Sequence, residues 1–397
     1  MSDPMTSQSL QVPASIDRLR QRALIVGLVG VVASVAGAMA DPAQFFQSYL
    51  VQFIFWSGLA LGCLALMMVH HLSGGAWGLM IRRILEAGAR TLPLMALAFV
   101  PLALGVGHVY EWAHPDVVAK DPILQHKAVF LNTPFWVART VGYFAIWTLM
   151  AFLLTRWSRE QDTTRQGVPD RRFARVAGPG LVVYGLTVSA AAIDWMMSVD
   201  PHWFSTIYGF VMMAGQGLGA LTLTVLLLSV LAKDPPMAAV VTRDRLHDLC
   251  KLMFAFIMLY AYLSFSQFLI IWSANLPEEI PWYLRRLSGG WQFLMLALVL
   301  FHFALPWAIL LSSDVKKHVG RLTLVAGLMF VMRILDTLFQ VAPQFHETLT
   351  IHWIDAALTL GVGGIWVTAF LWFLKGAPLL PVHDPSFKEA MANHGSH

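Results

Sequence analysis

The fold class this sequence predicts is an all-α integral membrane protein with ten transmembrane helices, and three observations carry it. Of 397 residues, 57% are hydrophobic and only 13% charged, against about 25% charged in a soluble domain; the mean hydropathy is +0.63. Ten stretches approach the ~20 mostly apolar residues that a spanning helix needs. Lys and Arg concentrate in every second connecting segment, as they do when alternate loops face the cytoplasm.

The predicted spans run 23–40, 46–70, 91–110, 133–156, 176–197, 205–231, 247–273, 288–313, 321–342 and 354–375. They form one membrane domain over 23–375, with a polar tail at 1–22 and another at 376–397. The connections are too short for a soluble domain. Basic residues fill the N-terminal tail, segments 71–90, 156–175, 232–251 and 314–321, and the tail from Lys375 onward. The opposite set holds only Lys120, Lys127, Arg285 and Arg286, while Arg139 and Arg333 fall inside spans. This bias predicts both termini in the cytoplasm.

Composition also excludes several classes. The net charge of +4 is too small to indicate nucleic-acid binding. Cys63 and Cys250 are isolated, so no disulfide framework, CxxCH haem attachment or cysteine-ligated cluster is expected. No A-x-A-like cleavage site follows the first apolar stretch, and no cleaved signal peptide is expected. Metal-ligand spacing, phosphate-cradling loops and nucleophile elbows are not recognised either. Gly215–Gly219 and Gly361–Gly364 lie inside spans, where glycine favours close helix approach.

Ionisable residues inside spans are costly and serve as functional candidates. Arg333 and Asp336 stand three residues apart in the ninth span, on one helix face. Arg333 lies roughly 18 Å along the helix from Arg321, past the midplane. Asp194 sits about one turn inside the fifth span, and Arg139 lies in the fourth. His108 and Glu111 share a face at the end of the third. Tyr260, Ser264 and Gln267 follow one stripe of the seventh, which should face the bundle interior. Together these residues outline a polar region in the outer half, read either as a proton path or as mutually satisfied structural partners. His302, near a kink expected at Pro306, reads as a core histidine or a relay.

The remaining polar residues have simpler readings. Asp200-Pro201-His202 forms a short turn with Asp200 solvated, and Trp195 and Trp203 suit an interfacial belt. His70 and His71 end the second span at an interface, where facing haem ligands are not expected. Asp248 and Lys251 make an interfacial pair or an inner proton entry, and Asp355 caps the tenth span.

The stretch "DWMMSVDPHWFSTIYG" (194–209), supported by "FWSGLALGC" (55–63) and "TPFWVART" (133–140), resembles the NrfD-like (polysulfide-reductase membrane-subunit) family. The similarity extends over nearly the whole chain and is greatest to the ActF-type subunits of bacterial alternative complex III. It implies two antiparallel four-helix bundles, about 46–197 and 205–342, flanked by the first and tenth helices. It further implies a quinol:electron-acceptor oxidoreductase complex in the bacterial cytoplasmic membrane. The implied partners are a paralogous NrfD-like subunit, an iron–sulfur subunit, c-type cytochrome subunits, a terminal oxidase and membrane lipid. Haem c and iron–sulfur clusters would reside in those partners, with quinone or menaquinone nearby and no cofactor on this chain. The subunit would then contribute a proton path or quinol-site support. A proton-coupled transporter and a purely structural scaffold are the competing readings.

Overall fold

The computed structural model of the protein describes residues 12–164, 170–316, 318–384 and 387. Residues 1–11 of the N-terminal tail, and the C-terminal tail beyond Asp384 apart from Phe387, lie outside them. Among the described residues ten helices are long and apolar enough to cross a membrane, and there is no strand. They are α1 (Ala14–Ala40), α2 (Pro42–Ser73), α3 (Ala76–Leu104), α4 (Thr133–Thr164) and α5 (Asp170–Trp195). After these come α6 (Tyr208–Leu231), α7 (Arg243–Ala274), α8 (Trp291–Leu311), α9 (Val319–Val341) and α10 (Trp353–Lys375).

Local chemistry sets several of the ends. The Asp41 carboxylate accepts from the Gln44 amide and Pro42 opens α2, where a missing N–H costs nothing. Thr242 caps α7, which ends at Asn275 in the left-handed conformation. His352 and Asp355 close a reciprocal capping box on α10, which is the role expected of Asp355.

α2 and α6 are apolar on every side and almost wholly buried, the property of a central helix. α2, α3, α4 and α5 pack in a closed ring, as do α6, α7, α8 and α9. The two four-helix bundles meet where α2 lies on α6. α1 and α10 cross as a flanking pair against α2. At that crossing the backbones of Gly27 and Gly30 touch those of Gly364 and Gly361; a Cβ on Gly27 would lie 2.8 Å from Ile365 N. Only glycine permits this approach.

Four expectations need correction. The segment 71–90 is not a loop: Gly74 and Gly75 alone separate α2 from α3, and Arg82 and Arg83 are buried within α3. Two arginines and Glu86 lower the local hydropathy, which displaced the predicted start to residue 91. Asp200 is not solvated but 7% exposed, because Arg285 pairs with it. Trp195 and Trp203 lie in the core rather than in an interfacial belt; Trp195 can do so because its indole N–H donates to Thr140. Finally, the irregularity near Pro306 is a π-helical segment, Leu298–Ala304, inside α8. Proline has no N–H for the carbonyl four residues back and its ring collides with it. A widened turn around His302 meets both constraints.

Candidate functional site

The end of the bundles opposite the start of α1 and the end of α10, here the distal half, contains two buried arginine–aspartate pairs. In the first bundle Arg139 on α4 reaches Asp194 on α5. Nη2 donates to Oδ1 at 2.6 Å, Nε donates to Oδ2 at 2.9 Å, and the Tyr143 hydroxyl adds a bond to Oδ2 at 2.8 Å. Asp194 is 0% exposed. Both carboxylate oxygens are engaged, and the guanidinium lies over the Phe130 and Phe135 rings. The backbone here is held as tightly: Trp136 and Ser198 donate to the Asp194 carbonyl, Tyr110 to that of Trp195, and Trp112 to that of Ser198. Burial first, and the Asp194 charge second, push the Tyr110 hydroxyl well above its ordinary pKa, so it stays a donor.

In the second bundle the spacing of Arg333 and Asp336 does what helix geometry requires: Arg333 Nη1 donates to Asp336 Oδ2 at 2.6 Å. α7 faces α9 here, and the Tyr260 hydroxyl donates to the same Oδ2 at 2.6 Å. Both bonds end on one oxygen. Arg333 lies over the Tyr260 ring, against which His302 from the π-helical segment sets its own ring edge-on, with centroids 5.1 Å apart. His302 Nε2 is buried without a protein partner among the described residues. Gly215 on α6 makes room for the guanidinium: a Cβ there would lie 2.5 Å from Arg333 Nη2.

Asp336, Arg333 and Tyr260 border a cavity of about 30 Å³ between the bundles, with Gln216, Tyr208, Thr337 and Gln340 also in its wall. The α5 residue Tyr184 donates to Gln216 Oε1 at 2.6 Å, so the first bundle also reaches this wall. Such a volume holds about two water molecules, given ~10–15 Å³ for one. It does not hold a quinone ring, since sites for organic ligands run to about 300 Å³ or more. Among the described residues, no three His, Cys, Asp or Glu side chains gather closely enough for a metal ion.

Other candidates fall elsewhere. Ser264 Oγ is buried beside Tyr260. Gln267 accepts from Ser205 and donates to the Tyr283 hydroxyl, tying α7 to the distal loops rather than to Asp336. His108 and Glu111 are exposed in short turns after α3, His108 stacked on Phe46, and neither joins an ion pair among the described residues. Asp248 and Lys251 form an exposed pair at the start of α7.

The structure also contains a charged cluster that the sequence did not reveal. At the end of the bundles opposite the distal half, Arg82 bonds Glu86, Gln161 and Asp384, while Arg83 bonds Glu86, Ser158 and both oxygens of Asp162. Asp384 arrives on the segment after α10, whose Leu379 and Leu380 are buried. The available signal was "RRILE": two arginines and a glutamate on one amphipathic helix. A comparison of the chain with protein-family models and with curated proteins found no match to either.

Proposed function

We propose that this chain is a proton-conducting membrane subunit of a bacterial quinol:electron-acceptor oxidoreductase complex, with both termini cytoplasmic and Asp336 as its proton-exchanging group. The resemblance of residues 194–209 to the NrfD-like family supports the class of complex, and the basic bias of alternate segments supports the orientation. One observation carries the role of Asp336. Its carboxylate accepts both protein bonds on Oδ2 and borders a cavity that has room for water.

Taking up a proton requires an oxygen with a free lone pair and a route to water. Oδ1 of Asp336 meets the first condition, and the cavity meets the second. Arg333 offsets the charge of the ionised form, while Tyr260 fixes the orientation of the carboxylate. Electron carriers and the quinol site belong, in this reading, to the paralogous, iron–sulfur and cytochrome partners. Quinol oxidation there liberates protons, which this chain conducts toward the outer surface. The same cavity is too small for a transported organic solute.

The test uses the intact complex in sealed vesicles. Asp336→Asn keeps shape and hydrogen bonding but cannot exchange a proton. Quinol turnover or the accompanying proton release should fall at least about tenfold, with every subunit still assembled. Unchanged turnover and unchanged proton yield would reduce Asp336 to a structural partner of Arg333.

A further inference from the structure

One face of α9 is polar from the ion pair to its distal end. Asp336 and Gln340, with Gln344 in the turn beyond, are spaced by four residues and so lie in line, and Thr337, three residues before Gln340, flanks them. The row covers about 12 Å. The Gln340 side chain lines the cavity beside Asp336, and its Oε1 is buried without a protein partner among the described residues. At the far end Arg285 Nη1 donates to Gln344 Oε1 and, at 2.7 Å, to Asp200 Oδ2. The Asp200 side chain is 10% exposed and that of Arg285 42%, so the cluster begins in the protein and ends in solvent.

The surroundings hold this end in place. Arg286 donates to the carbonyls of Trp282, Phe339 and Gln340. Burial pulls its guanidinium down to about 9, still charged at neutral pH. Lys127 donates to the Pro201 carbonyl, and His202 meets Asp121 on the exposed side. Asp200 is thus a carboxylate fixed by Arg285 at the mouth of a polar row whose inner end is Asp336.

We propose that Asp200 is the outer collecting carboxylate, receiving protons that leave Asp336 along the Gln340–Gln344 face of α9. This rests on the reading of Asp336 given above. The O–H bond of the Asp336 carboxyl breaks and its proton passes to water held against the Gln340 amide. A proton from that water chain then forms an O–H bond on Asp200, which yields it to bulk solvent. Only O–H bonds change, and no electron moves. The amides order the water and carry no charge themselves. Asp194 does not serve as the exit, because Arg139 and Tyr143 already occupy both its oxygens.

The experiment measures turnover-linked proton release from vesicles containing the intact complex, with and without added formate or imidazole as small buffers. Asp200→Asn should slow release about tenfold, and the buffers should restore it, since they reach a surface site. Asp336→Asn should slow release without rescue, because that site is enclosed. Wild-type release from Asp200→Asn alongside slow release from Asp336→Asn overturns the exit and leaves Asp336 standing. Wild-type release from both overturns the proton-path reading itself. Slow release from Asp200→Asn that no buffer restores marks a structural role and also overturns the exit. If Asp200→Asn does not assemble, Gln340→Leu decides, since it leaves the Arg285–Asp200 pair intact: wild-type release from it overturns the proposal, and slow release supports it.

Discussion

Asp194 and Asp336 are two buried aspartates with the same partner types, an arginine and a tyrosine, in two bundles of similar design, yet they are suited to different work. Arg139 grips Asp194 across two helices through both oxygens, and Tyr143 adds a further bond. Arg333 and Tyr260 hold Asp336 by one oxygen only, beside a cavity. A saturated carboxylate that is 0% exposed behaves as a tie between helices. One with a free oxygen next to water can exchange a proton. The distribution of donors over the two oxygens, and not burial, separates the roles.

The sharpest way to break this comparison is to remove one arginine. Arg139→Ala leaves Asp194 charged and enclosed, and losing one member of a buried pair costs roughly 3–5 kcal/mol. Thermal unfolding of the purified complex should show the loss, with reduced assembly. A variant as stable as the native protein would show that Asp194 does not tie α4 to α5.

Next come the two Asp→Asn variants side by side. Asp336→Asn should lower turnover about tenfold or more with little change in unfolding temperature. Asp194→Asn should show the reverse pattern, destabilised but turning over. A matching pattern in both would erase the distinction.

The tyrosines sharpen it further. Tyr143→Phe removes a hydrogen bond to a charged group, worth roughly 1.5–3 kcal/mol, and should appear in stability. Tyr260→Phe should instead change turnover, because it frees Asp336 to rotate. The smallest effect is expected from Gly215→Ala. Its Cβ would lie 2.5 Å from Arg333 Nη2, so the flexible end of that side chain must move by roughly 1 Å to reach ordinary van der Waals contact. A modest fall in turnover with normal assembly is expected; a normal rate would mean that Arg333 need not hold its position.

What the sequence revealed of all this depended on distance along the chain. Arg333 and Asp336 were legible as a pair because three residues of helix define their geometry. Tyr260 was legible as part of a stripe that meets Asp336 if α7 faces α9, as it does. Arg139 and Asp194 each stood out as charges in apolar surroundings, but nothing local links residues 55 apart. Asp200 looked like an ordinary turn residue because its partner Arg285 lies 85 positions away. The α3 cluster was hidden for another reason: its arginines are paired with carboxylates inside the bundle, so α3 is buried although averaging over a window underrates its hydropathy. The ten helices were legible throughout, since each carries its own apolar content.

The buried pairing of Arg82 with Asp384 has a consequence for the order in which the protein is made. Ribosomes deliver α3 long before the segment that follows α10, with about 300 residues between the two partners. Throughout that interval Arg82 has only neighbours from the earlier part of the chain, Glu86 and then Gln161. Asp384, which emerges after α10, therefore completes an ionic cluster begun on α3. A chain halted between Lys375 and Asp384 would keep all ten helices while leaving that early arginine short of its acid.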